Sequence, residues 1–182
     1  MITNPPRTGA PDILKGLIAG VAGGLLASLV MEQFQALWSK VAEEIKRAQS
    51  AADKPKSARG KGSTETPATV KAAEVISENV FGKKLPKKRK ELAGGAVHYA
   101  MGMASGAIYG ALAEVTPLAS AGAGLAFGTG VWLSADEAIV PALGLSKSPM
   151  QVPVSTHAYA LVSHLVYGFV TEVVRRALRQ AL

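Results

Sequence analysis

AGGAVHYAMGMASGAIYGALA, Ala93–Ala113, carries no formal charge across 21 residues. VTPLASAGAGLAFGTGVWLSA, Val115–Ala135, repeats that over another 21, and only Glu114 parts the two runs. The hydrocarbon core of a bilayer takes roughly 20 apolar helical residues to cross, so each run is long enough to span it. Thr116-Pro117 between them predicts a tight turn. Two adjacent uncharged runs joined by a turn point to a helical hairpin in a membrane rather than to a soluble core.

The flanks extend this reading. Upstream, Gly16–Met31 is apolar and continues past Glu32 to Trp38, 23 residues in all, which predicts a first span over 13–39. A cleaved signal peptide is the competing reading, since Arg7 and Lys15 precede the run, but no small-x-small site follows it cleanly. Downstream, Asp136 and Glu137 interrupt the second uncharged run, Ala138–Leu145 resumes it, and Pro141 should kink or stop that helix. His157–Val174 is a last apolar run of 18 residues that includes His157, His164 and Glu172. The expected fold is an all-α integral membrane bundle of four transmembrane helices, with residues 93–180 as a membrane domain spanning at 93–113, 117–137 and 157–174.

Charge is segregated from these runs. The net charge is +7, yet residues 40–92 hold 14 of the 20 Lys and Arg. That stretch reads as a basic loop, and the bias of Lys and Arg toward the cytoplasmic side puts it in the cytoplasm. Arg175, Arg176 and Arg179 argue against that sidedness, because with four crossings they lie on the other side. Within the loop, composition makes 49–67 a flexible linker, and Val70, Ala73, Val75, Ile76, Val80 and Phe81 give a short amphipathic helix over 67–81 ended by Gly82. Residues 1–12, rich in Pro and polar residues, read as a disordered lead-in. Lys83, Lys84, Lys87, Lys88, Arg89 and Lys90 lie just before the apolar run and suit a partnership with the anionic headgroups of a lipid bilayer. No aromatic-rich or recognisable nucleic-acid fold accompanies these cations, so nucleic acid is not an expected partner.

Small residues recur at every fourth position: Gly16, Gly20 and Gly24; Gly102, Gly106 and Gly110; Gly124 and Gly128. That spacing forms a ridge on one helix face along which backbones pack closely. The ridges serve packing inside the bundle, or else a homo-oligomer or a larger membrane complex.

Alternating spans bring Glu32, His98, Asp136, Glu137 and His157 to one membrane level, near the basic loop. Glu114 and Glu172 fall at the opposite face, and His164 lies between, two turns beyond His157 on nearly the same helix face. Ionisable groups at such depths face one another or water, and a carboxylate and imidazole group exchanges protons near neutral pH. The alternative is a structural role as hydrogen-bonded helix ends. The chain has no cysteine, and no Gly-x-Ser-x-Gly, P-loop or HExxH motif occurs, so no catalytic residue is assigned. Spacing gives no specific support for a metal site at His98 and His157 or for haem, and no cofactor is expected.

Thr66–Arg176 resembles the YagU-like group of small bacterial inner-membrane proteins, whose function is unassigned. His98-Tyr99, Gly106, Tyr109-Gly110, Glu114, Trp132, Asp136-Glu137, Pro141–Leu145, His157, His164, Tyr167-Gly168 and Glu172 carry the resemblance. It implies a multi-pass helical bundle in a bacterial inner membrane and supplies no mechanism. The leading expectation is a non-enzymatic membrane protein that supports envelope or pH homeostasis through its acid and histidine cluster. An accessory subunit packing by its glycine ridges is the alternative, and an enzyme acting on lipid is a third reading.

Overall fold

A computed structural model describes residues 12–52 and 66–182. The lead-in expected at 1–12, apart from Asp12, and most of the linker expected at 49–67 lie outside those residues. Among the described residues six α-helices follow in order: α1 Ile13–Ala52, α2 Ala68–Phe81, α3 Lys87–Val115, α4 Leu125–Ser134, α5 Val140–Ala142 and α6 Val154–Ala181. Among the described residues there is no strand.

The bundle order is α3, α1, α6, α4, with α2 laid antiparallel along the first turns of α3. Glycine sets this order. A Cβ on Gly20 or Gly24 would collide with the carbonyl oxygen of Gly106 or Gly102, and one on Gly16 would lie 2.6 Å from that of Gly110. Real Cβ atoms do not approach oxygen so closely, so α1 and α3 meet backbone to backbone, where dispersion acts over many atom pairs. A second seam joins α4 to α6, with Gly124 and Gly128 against Gly168 and the His164 carbonyl. The remaining core is small: Ala27, Met31 and Tyr167, with Phe127, Val131 and Val170 packed against them. Tyr109 stacks on Phe127 with centroids 4.2 Å apart, which bridges the outer helices.

Several boundaries differ from the sequence expectations. Helix α1 runs unbroken for 40 residues to Ala52, so helix replaces the first residues of the expected linker. Helix α3 begins at Lys87, which turns the last of the basic loop into helix. The expected third span, 117–137, is not one regular helix. Pro117–Gly124 is 3-10 helix broken at Ala121–Ala123, with Gly122 and Gly124 at positive φ, and regular α-helix covers only Leu125–Ser134. A π-turn over Ala135–Ile139 then leads into α5, whose final turn holds Pro141.

Among the described residues, two helical segments are long and apolar enough to cross a membrane, Ile13–Gln49 and Leu118–Ala142. Helices α3 and α6 fall short by that measure. Their faces carry glycine, His98, Tyr99 and Tyr109 in one and His157, His164 and Glu172 in the other, groups that pack or hydrogen-bond within the bundle.

Candidate functional site

The polar groups of the bundle collect at its two ends. At the end nearer the basic loop, the π-turn that follows α4 carries Asp136 and Glu137 side by side. Widened turns of this kind recur at functional sites. Both acids reach α6: Glu137 Oε1 lies 2.6 Å from His157 Nδ1, and Asp136 Oδ2 lies 3.7 Å from His164 Nδ1. The two histidines are seven residues apart, two helical turns or about 10 Å. Adjacent carboxylates thus pair with imidazoles at two depths.

Each imidazole is also held by a carbonyl oxygen, His157 Nε2 at 3.0 Å from Pro149 and His164 Nδ1 at 2.9 Å from Ala160. A cavity of about 250 Å³ opens on the shallower pair, lined by Asp136, Glu137, Ser146, Thr156 and His157, with Ala68 of α2 at its edge. A carboxylate hydrogen-bonded to an imidazole, as Glu137 is to His157, is placed to exchange a proton with it and with water that has access, whereas Asp136 lies only within ion-pair range of His164.

The expected cluster therefore divides. Glu137 and His157 form one pair, Asp136 and His164 another, and His98 lies within electrostatic range of Asp136. Glu32 stands apart from these, accepting a hydrogen bond from the Tyr99 hydroxyl on the α1–α3 side, while the His98 ring packs edge-on against Tyr99. Among the described residues, no three His, Asp or Glu side chains come together as a group that would hold a metal ion.

The opposite end is an ionic knot. Glu172 and Glu114 are buried, and so is Arg175 at 1% exposure. Glu172 accepts from Tyr109 Oη at 2.9 Å, from Arg175 Nε at 2.7 Å and Nη2 at 2.9 Å, and from Arg176 Nε. Glu114 accepts from Arg179 Nε at 3.0 Å, and Arg175 Nη1, which makes no hydrogen bond, lies 3.9 Å from Glu114 Oε1. Arg176 also donates to the Ser120 carbonyl at 3.1 Å, tying α6 to the broken 3-10 segment. A Cβ on Gly16 would strike Glu114 Cγ, so the glycine of α1 makes room for the knot.

Sequence reasoning identified the two carboxylates and missed their partners. It counted Arg175, Arg176 and Arg179 only as topology signals, although their offsets of three and four residues from Glu172 and seven from Arg179 back to Glu172 put them on one face of α6. Tyr109 and Gly168, against which Gly124 and Gly128 pack, were likewise outside the candidate sites.

Fold and site together define an all-helical protein with two membrane-length helices and charged groups at both ends of its bundle. Residues 62–173 match a family described as protein of unknown function (DUF1440), and the chain belongs to that family. The matched segment covers α2 to most of α6, whereas α1 and the three arginines of the knot lie outside it. No curated protein and no solved structure matches.

Proposed function

We propose that this chain is a multi-pass protein of a bacterial inner membrane, akin to the YagU-like group, that handles protons at the cytoplasmic end of a four-helix bundle in support of envelope or pH homeostasis. In this reading α1, α3, the α4–α5 segment and α6 all cross, and 40–92 faces the cytoplasm. The observation that carries it is the pairing of adjacent Glu137 and Asp136 with His157 and His164 at two depths beside an open cavity. At the other end the carboxylates are each ion-paired with arginine. The same pairing answers the objection to sidedness, because Arg175, Arg176 and Arg179 are engaged by Glu114 and Glu172 rather than free to anchor in a cytoplasmic leaflet.

The accessory-subunit reading has less support. The glycine ridges it relies on are filled within the chain, α1 by α3 and α4 by α6. The test is growth under acid stress of cells lacking the native chain and complemented with Asp136→Asn, His157→Ala or His98→Ala at matched membrane levels. Each is expected to lose most of the benefit of the unaltered chain. Full complementation by all three would defeat the proposal.

A further inference from the structure

The α2–α3 hairpin sorts its cations into distinct environments. Gly82, with φ 64°, ends α2, and Ser77 Oγ donates to the Lys83 carbonyl at 2.6 Å, which fixes the turn into α3. Lys90 is engaged by Glu74 of α2. Lys83, Lys84, Lys87, Lys88 and Arg89 are exposed, and among the described residues no acid forms an ion pair with any of them. Only three of these five border a groove of about 430 Å³, where Lys83, Lys84 and Arg89 surround Phe81 and Leu85. Phe81 is 70% exposed.

The groove thus has apolar walls and a cationic rim. Its height above the apolar run can be read from α3. Arg89 precedes Ala93 by four residues, about 6 Å of helix. The headgroup layer on each side of a hydrocarbon core is about 5–8 Å thick. Arg89 therefore sits within the phosphate layer when Ala93 marks the hydrocarbon edge. Arginine's planar fork suits a phosphate, and lysines add point charge.

We propose that this groove seats one anionic phospholipid, its phosphate held by Arg89, Lys84 and Lys83 and its glycerol region set against Phe81 and Leu85. The site rests on the membrane reading above, and it differs from diffuse attraction by six cations in being saturable and confined to three. Lys87 and Lys88, outside the groove, contribute only to the general field, which salt screens.

The test uses the full chain purified in mild detergent and titrated with phosphatidylglycerol, phosphatidylcholine of matched acyl chains, or inorganic phosphate, with retained lipid counted by native mass spectrometry at physiological salt. One phosphatidylglycerol per chain is expected, with phosphatidylcholine and phosphate each bound at least tenfold more weakly. The Lys84→Gln/Arg89→Gln pair should weaken phosphatidylglycerol binding at least tenfold, and Lys87→Gln/Lys88→Gln less than twofold, both with unchanged helical circular dichroism. Equal retention of the two lipids, equal effects of the two double variants, or phosphate binding as tightly as lipid would each overturn the seat. Alkaline carbonate extraction of native membranes separates the two levels of the proposal. A chain that resists extraction but binds no lipid specifically loses the seat alone, and a chain released by carbonate loses the membrane reading as well.

Discussion

Glu172 is the residue on which the far end of the bundle depends, since a single buried carboxylate accepts from Tyr109, Arg175 and Arg176. Arg175 lies at 5.8 Å from the centre of the Tyr109 ring, so its charge is balanced by a carboxylate and a ring face rather than by water. Removing one partner of such a group leaves a buried charge uncompensated. Glu172→Ala is expected to cost about 3–5 kcal/mol, read as a large drop in thermal midpoint in detergent. Replacing both partners, Glu172→Leu with Arg175→Met, removes the stranded charge and should cost clearly less than the single change. A single variant as stable as the unaltered chain would mean that water reaches the knot. The charges themselves were visible in the sequence, as was their position near a helix end. The pairing between helices was not, because Glu114 and Arg179 are 65 residues apart and only the tertiary fold brings the end of α3 to the end of α6.

At the scale of elements, glycine decides which helices touch. Gly20 and Gly95 both sit in helices, yet a Cβ on Gly20 would run into the Gly106 carbonyl, whereas one on Gly95 meets nothing within 4 Å. Gly20→Ala should therefore push α1 from α3 and destabilise by about 1–3 kcal/mol, as overpacking does. Gly95→Ala should be neutral or stabilise by about 0.5–1 kcal/mol through helix propensity. Thermal unfolding of the two variants side by side checks this, and equal shifts would remove the glycine seam as the organiser of the bundle. The four-residue glycine spacing in α1 and α3 made these ridges legible. The partner ridge on α6 was not, because a single glycine, Gly168, receives both Gly124 and Gly128 and leaves no repeat to read. The broken start of the third helical segment escaped for a related reason. Alanine and glycine fit helix and turn equally in hydropathy, and the positive φ at Gly122, Ala123 and Gly124 is a local choice that hydropathy does not encode. Caps have plainer causes: Pro67 stands at the N-cap of α2, and Gly82 ends it in the left-handed conformation.

For the whole molecule, the length of α1 constrains how it can sit. Its 40 residues measure about 60 Å, twice a hydrocarbon core of about 30 Å, so a crossing α1 must project from the bilayer. The projecting part is its second half, where Lys40, Glu43, Glu44, Lys46 and Arg47 are exposed and Arg47 pairs with Glu43 and Glu44 along the helix. Trp38 contacts Tyr159 at the start of α6, with ring centroids 5.9 Å apart, and this aromatic pair marks the level at which an interface would fall. Projection, the α2–α3 hairpin and the acid and histidine pairs then share one side, and the arginine knot lies on the other. Because the chain has no cysteine, single cysteines report sidedness without a background. With three crossings between them, Gly60→Cys and Gln180→Cys should label in opposite compartments. In intact spheroplasts a membrane-impermeant maleimide is expected to reach Gln180→Cys and to reach Gly60→Cys only after permeabilisation. Labelling of both positions in intact spheroplasts, or of neither, would mean an even number of crossings between the loop and the end of α6. One of α3, the α4–α5 segment or α6 would then enter without crossing, and the broken backbone at Ala121–Ala123 marks the α4–α5 segment as the one to re-enter.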